Sequence, residues 1–338
     1  MKIAVVIPCR NEVANIEECI RAIYASELPE NCQLTVNVVD GKSNDGTLEV
    51  ITGLQAHYPE LNVVTNEKQL TPYAFNLGIY ATPDADFYQI IGARQVVSAN
   101  YLKGALEALQ NNPEIWCVGG AVENVYLNQE GKMIAKAMST AFGMGLGNFR
   151  TLNESGLVDT VGTPMYPAWV FQRIGYFDEE LIRNQDDDFN FRVTQAGGKI
   201  FYNHAISLKY YVRGSIRQLW KQFMQYGYWK VYVNKKHKAV TTVRQLVPPA
   251  FVLFLILLPF LFLVHVVLGL IGLSFLGIYA LLALLVTSRI AEDVSEFNRI
   301  FIVFPILHIS YGWGYLKGIV AFLIAGQKPG DKYKKMSR

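Results

Sequence analysis

Three groups of residues have the types and spacing to do chemistry. The first is Asp40-Gly41-Lys42-Ser43-Asn44-Asp45-Gly46-Thr47, where an apolar run ends on an acid and enters a short polar loop. A helical pattern follows it (Leu48, Val50, Ile51, Leu54). In an open α/β sheet, ligands sit outside the carboxyl ends of the strands, so Asp40 stands where a nucleotide would be met. Short polar side chains there can accept from ribose or base, and Gly41 and Gly46 permit positive φ and close backbone approach. The ordinary alternative is a strand-to-helix turn. The second group, Arg10-Asn11-Glu12, follows the first apolar run in the same way. The third is Asp186-Asp187-Asp188 at the start of a helical pattern running through Phe189, Val193 and Ala196. Acids suit a helix N-terminus. Three in a row exceed what capping requires, so at least one is expected to face a site.

These residues need elements to hold them. Residues 3–8 form an apolar run suited to a strand covered on both faces. It is too short for a signal peptide. Strands are expected at 34–40, 61–65 and 87–91, with helices near 15–23, 48–57, 71–78 and 101–109. Strands alternating with helices imply an α/β, doubly wound, mostly parallel sheet. Further strands are expected at 116–120 and 166–172. Gly143, Gly145 and Gly147 punctuate a segment that lacks the strand and spaced acid of a dinucleotide site, so a mobile loop near the site is expected instead.

The chain has 338 residues, of which 51% are hydrophobic and only 17% charged, too apolar for an ordinary soluble enzyme. Long apolar runs appear only after about residue 245. Residues 246–288 contain no Asp, Glu, Lys or Arg, enough for two spans turning near Gly269–Gly272. The third apolar segment, 300–324, is interrupted by His308, Trp313 and Lys317. The expected segments are about 246–268, 270–288 and 300–324. A helix at 214–233, with aromatics on one stripe and Arg217, Lys221 and Lys230 off it, suits a membrane interface. The expected division is therefore a domain at 1–240 and a C-terminal helical membrane region at 241–338. Lys230, Lys235, Lys236, Lys238 and Arg244 precede the apolar region, and Lys328, Lys332, Lys334, Lys335 and Arg338 follow it. Such clusters favour a cytoplasmic surface facing anionic lipid. Whether the third segment crosses, which decides the side of the C-terminus, stays open. A net charge of +3 is too slight to argue for nucleic acid. Cys9, Cys19, Cys32 and Cys117 have no metal-type spacing and read as reduced thiols without a role.

With these pieces in order, the chain resembles the membrane-associated glycosyltransferases of family 2, which have the GT-A fold. The resemblance rests on Ile7-Pro8-Cys9-Arg10-Asn11-Glu12, on Asp40–Thr47, on Ala74-Phe75-Asn76-Leu77-Gly78, and on Asn184-Gln185-Asp186 followed by Arg192. The Gln-Asp pair, Lys199–Tyr202, Gln222–Gly227 and His308–Gly314 look most like the succinoglycan-biosynthesis branch. The resemblance implies that Pro8, Arg10 and Glu12 line a nucleotide pocket, with Asp40 reading the base and Gly41 and Asn76 on the donor side. It implies Asp186 as general base, with Asp187 and Asp188 as rivals and Gln185 and Arg192 on the acceptor side. The implied reaction is inverting transfer from a nucleoside-diphosphate sugar to a polyprenyl-linked acceptor at the cytoplasmic face of the inner membrane. Membrane lipids and proteins of a polysaccharide assembly system are the implied partners.

Two departures qualify this. The family ends its fourth strand on an Asp-x-Asp motif that holds a divalent cation, Mg or Mn, on the diphosphate. Here that position reads Gly92-Ala93-Arg94. Either Arg94 neutralises the diphosphate directly, or other acids hold the metal, or activity is reduced. Asp84-Ala85-Asp86 precedes the strand and reads as turn residues. The Gln-x-x-Arg-Trp motif of polymerising synthases is also missing, which speaks for addition of a single sugar. The competing function is a membrane scaffold that keeps the fold and binds a nucleotide sugar or a partner synthase.

Overall fold

Residues Lys2–Cys9 form β1, because a run of Ile, Ala and Val is buried on both faces of the sheet it enters. A computed structural model describes residues 1–145, 149–212, 214–241 and 243–328. Gly147 and the tail residues Lys332, Lys334, Lys335 and Arg338 lie outside the described residues. After β1 come α1 (Ile16–Tyr24), β2 (Gln33–Asp40), α2 (Thr47–Gln55), β3 (Leu61–Thr65), α3 (Thr71–Tyr80), β4 (Phe87–Ile90), β5 (Gln95–Val97) and α4 (Tyr101–Asn111). The chain continues through β6 (Ile115–Val125), α5 (Gln129–Met138), α6 (Ala141–Met144), β7 (Gly156–Val158), β8 (Met165–Pro167), α7 (Ala168–Ile174), α8 (Gln185–Gln195) and β9 (Lys199–Tyr211). It ends with α9 (Ile216–His237), α10 (Val247–Val264), α11 (Val266–Ile290) and α12 (Val294–Gly318).

The chain forms two compact units. The first unit is Met1–Asn124 with Leu152–Tyr211, and the second is Val125–Thr151 with everything from Val212 onward.

The first unit is built on a mixed sheet in the order β3-β2-β1-β4-β8-β6-β9-β5, with β7 on β9. Strands β3, β2, β1 and β4 run parallel, with Val6 beside Ile90 and Pro8 beside Val39. The pairs β4–β8, β6–β8, β5–β9 and β7–β9 are antiparallel. The chain leaves β1 for β2 on one side and reaches β4 on the other. That reversal is the switch point where a doubly wound sheet opens a crevice. Amphipathic α1 and α4 close one face, burying Ile16, Cys19, Ile20 and Ile23 and Tyr101, Leu102, Ala105 and Leu106 against β1 and its neighbours.

One expected strand is different. The run 166–172 is a strand only to Pro167 and then turns into α7, which buries Val170 and Phe171. A short apolar run carries no period to separate strand from helix, and here aromatic packing of Phe171 on Tyr88, Tyr166 and Phe189 decides.

Among the described residues of the second unit, three helical stretches are long and apolar enough to cross a membrane: Val243–Val264, Val266–Ile290 and Val294–Ile324. Helices α9 and α12 approach backbone to backbone. A Cβ on Gly227 would fall 2.0 Å from the Tyr311 carbonyl oxygen, and one on Gly314 would fall 2.0 Å from that of Met224. Glycine is required at both crossings. The segment at Gly143 and Gly145 is the short helix α6, capped by the Thr140 hydroxyl, which accepts from the Gly143 N–H at 3.0 Å.

Candidate active site

The carboxyl ends of β1, β2 and β4 meet at the switch point, and their loops are tied together by side chains. Asp40 is buried at the end of β2. Its carboxylate accepts from the Ser43 hydroxyl at 2.5 Å and the Ser43 N–H at 3.0 Å. The loop turns through positive φ at Lys42 (59°) and Gly46 (95°). Gly41 does not take positive φ; it supplies space instead, because a Cβ there would lie 3.3 Å from the Arg10 side chain. Asn11, itself at φ 53°, accepts the Asn44 N–H at 2.9 Å and donates its own N–H to the Ser43 hydroxyl at 2.8 Å. The Glu12 N–H reaches the Thr47 hydroxyl at 2.9 Å.

Asp45 completes this knot, accepting from the Thr47 hydroxyl at 2.5 Å and from the Thr47 and Val13 N–H groups at 3.1 and 3.3 Å. Desolvation pulls its carboxyl up, but the bonds from Thr47 and Val13 outweigh that and hold it below the usual range. A depressed folded-state value means that the stabilisation is complete above the ordinary aspartate value of about 3.9 and is lost as pH falls through the folded-state value. Because the group is exposed and screened by solvent, Asp45→Asn should cost only about 0.5 kcal/mol at neutral pH. In urea titrations the gap from wild type should close on the acid side.

Two cations stand at the ends of β1 and β4. The Arg10 Nε is buried without a hydrogen-bond partner. The Arg94 Nε donates to both Glu12 oxygens at 2.9 and 2.7 Å. Its terminal nitrogens make no hydrogen bond among the described residues. Glu12, expected in the nucleotide pocket, thus serves as the counter-ion of Arg94. Sequence reasoning missed that pairing, because the two residues are far apart in the chain and meet only through the register of adjacent strands. At Gly92-Ala93-Arg94 there is no side-chain oxygen to ligate a metal, and a guanidinium repels one. Among the described residues, no three His, Cys, Asp or Glu groups converge. This donor set does not fit a divalent cation. Asp84 and Asp86 sit at the opposite end of the strands, bonded to the Lys2 ammonium at 3.0 Å and the Lys2 N–H at 2.8 Å.

The acid trio divides by environment. Asn184 enters α8 at φ 60°, and its amide donates to Asp187 at 2.7 Å. Asp186 is exposed, Asp187 half-buried, and Asp188 fully buried against Arg192 at 3.0 Å. Arg192 also donates to the carbonyls of Ile174 at 2.7 Å and Tyr176 at 2.8 Å. Asp188 and Arg192 thus brace the turn before α8. Asp188→Ala should destabilise the protein by about 3 kcal/mol, because Arg192 is left without its carboxylate. Chemical denaturation measures it. Asn184 and Gln185 each leave a buried amide oxygen without a partner.

Asn76, expected on the donor side, spends its amide on the same region. It donates to the Phe177 carbonyl at 2.9 Å and to Glu179 at 3.0 Å, and accepts the Phe177 N–H at 3.0 Å. It positions the segment before α8. Pro8 lies inside β1 in register with Val39. Cys9 and Cys19 are buried thiols; burial raises the first and pushes the second up to about 12, so neither is a nucleophile near neutral pH.

A family model described as "Glycosyltransferase like family 2" matches residues 1–242. The chain belongs to this family. A dolichyl N-acetyl-alpha-D-glucosaminyl phosphate 3-beta-D-2,3-diacetamido-2,3-dideoxy-beta-D-glucuronosyltransferase of Methanococcus voltae is 29% identical over 94% of this chain and 97% of its own. The succinoglycan biosynthesis protein ExoA of Rhizobium meliloti is 27% identical over 73% of this chain and 74% of its own. Among solved structures, the mannosyltransferase PcManGT of Pyrobaculum calidifontis, in complex with GDP-Man and Mn2+, superposes with a TM-score of 0.52. That superposition covers 97% of this chain and 76% of the other at 15% identity, a likeness of fold. The GT-A-type architecture and the glycosyltransferase family therefore stand together.

Proposed function

We propose that the protein transfers one sugar from a nucleoside-diphosphate donor to a lipid-linked acceptor, inverting the anomeric configuration, at the cytoplasmic face of the inner membrane. The observation that carries the reading is the pair of guanidinium groups with uncommitted nitrogens, Arg10 and Arg94, at the ends of adjacent strands at the switch point. A diphosphate is the natural ligand of such a pair, since guanidinium pairs bidentately with phosphate oxygens. Asp40 and Gly41 then face base and ribose.

On this reading the Asp186 carboxylate takes the proton of an acceptor hydroxyl as that oxygen attacks the anomeric carbon. The bond from that carbon to the diphosphate breaks, and its electron pair leaves on the diphosphate. Arg10 and Arg94 offset the charge that develops there. The unpartnered oxygens of Asn184 and Gln185 beside Asp186 suit a ligand that brings hydroxyl donors. A lipid acceptor accounts for apolar helices in an enzyme of this family. The polyprenyl class is supported by the dolichyl-linked sugar named for the Methanococcus relative.

The second reading, a membrane scaffold that binds the donor without turnover, is favoured by the missing acids at Gly92-Ala93-Arg94. Thermal shift against UDP, GDP and their sugars, followed by release of nucleoside diphosphate in the presence of polyprenyl-phosphate-linked sugar, separates the two. Transfer gives both a shift and release. A shift without release from any donor would sustain the scaffold.

A further inference from the structure

Helix α12 with the turn that follows it is long enough to cross a membrane, yet besides meeting α10 and α11 it packs along a polar helix. It runs parallel to α9 along its length. Leu219 and Phe223 of α9 share a core cluster with Ile300, Phe304 and Leu307. Further on, Gly227 lies against Tyr311, and Gly314 against Met224. At the far end, Phe322 packs on Tyr228 and Tyr232, and the Lys235 ammonium donates to the Phe322 carbonyl at 2.6 Å. Helix α9 carries Arg217, Lys221, Lys230, Lys235 and Lys236 and is not among the helices apolar enough to cross. Each such charge is costly to place at the centre of a bilayer. A helix bound lengthwise to α9 stays where α9 stays.

The connection before α12 is held in the same way. Lys132 and Lys136 of α5, another polar helix, bind Glu292 at 2.9 Å each and Glu296 at 2.6 Å each. The outer halves of α10 and α11 differ. Phe260, Leu263, Val264, Val266 and Phe275 are 56%, 82%, 73%, 58% and 61% exposed. The outward stripe of α12 is mixed, with Ile302, Trp313 and Val320 exposed and the Lys317 ammonium 5.6 Å from the Trp313 ring. That composition suits the headgroup boundary.

We infer that only the α10–α11 hairpin enters the hydrocarbon of a bilayer. The α11–α12 connection lies on the same face as α5 and α9, and α12 lies beside α9 in the interface without crossing. Residues before the hairpin, between α11 and α12, and after α12 therefore share one side. The inference rests on the membrane reading above.

The test uses full-length protein in sealed membrane vesicles, in a Cys32→Ser background, with single variants Lys238→Cys, Ser295→Cys and Lys328→Cys. A membrane-impermeant maleimide should label all three to the same extent before detergent, whichever way the vesicles face. Labelling of Lys328→Cys from the side opposite to Lys238→Cys would overturn the inference by making α12 a span. Labelling of Ser295→Cys opposite to Lys238→Cys would overturn the hairpin. Protein recovered outside the membrane fraction after carbonate washing would instead defeat the membrane reading. A green fluorescent protein fused after residue 338 gives a second readout without cysteines. It should fluoresce in cells where Lys238→Cys is labelled only from the cytoplasmic side, and a dark fusion at normal abundance there would contradict the inference.

Discussion

Asp186→Asn should reduce sugar transfer by about 10²–10⁴-fold while leaving donor affinity and stability close to wild type. The size follows from the role: an amide cannot take the proton of the attacking hydroxyl, so the acceptor oxygen must attack as a neutral alcohol. The selectivity follows from the environments of the three acids. Asp186 is exposed at the first turn of α8, Asp187 accepts from Asn184, and Asp188 is buried against Arg192. Asp187→Asn should keep most of the activity. Asp188→Asn should lose stability first and activity in proportion to unfolding. A drop confined to kcat at Asp186, with thermal midpoints matching wild type, is the expected pattern. Equal activity of Asp186→Asn and wild type would move the base elsewhere.

Arg94→Ala should lower transfer by about 10²–10³-fold, the scale for removing one preorganised group from developing charge. It should also weaken binding of the nucleoside diphosphate more than binding of the nucleoside. Two effects add here. The diphosphate loses a fork of N–H donors, and Glu12 loses its counter-ion and is left as a carboxylate near the phosphates. Arg94→Lys should recover only part of the loss, because an ammonium keeps the charge without the planar fork. The double variant Glu12→Gln with Arg94→Ala should bind the diphosphate better than Arg94→Ala alone. Wild-type transfer should persist in EDTA, since the side chains at the end of β4 offer no oxygen ligand. Complete loss of transfer in EDTA, restored by Mn2+ or Mg2+, would remove Arg94 from this role.

Much of the parallel half of the sheet was legible, for a physical reason. Strands β1 and β2 are buried on both faces and the edge strand β3 in part, so each reads as an apolar run ending in polar loop residues, and Asp40 falls at such an end. In the antiparallel half only β6 and part of β8 were legible. Strands β5, β7 and β8 have three residues each, too few to show a period, and their pairing depends on β9 and β4. The site followed the same divide. Local knots such as Asp45 with Thr47 lie within one loop and could be anticipated. The Glu12–Arg94 pair needs the β1–β4 register, and the bracket from Asn76 to Phe177 needs the fold of the whole first unit. Asn76 and Arg192 look alike in sequence as polar residues of a motif. In the structure both are positioning residues that fix the approach to α8.

The membrane region carried an ambiguity that composition could not resolve. Apolar length alone makes three spans of 243–324, whereas α12 packs along polar α9 and α5 as well as against apolar α10 and α11. Burial of Glu296 among lysines of α5 is visible only once 160 residues of chain have folded back.

The reaction proposed for this site is single-displacement transfer onto a lipid-linked sugar. The most direct measurement is the structure of the product made by purified full-length protein from an active nucleotide sugar and a polyprenyl-phosphate-linked acceptor, with the anomeric coupling read by NMR. One added sugar per lipid is expected, with the anomeric configuration opposite to that of the donor. A product of retained configuration, or nucleoside diphosphate released with no sugar on the lipid, would contradict it.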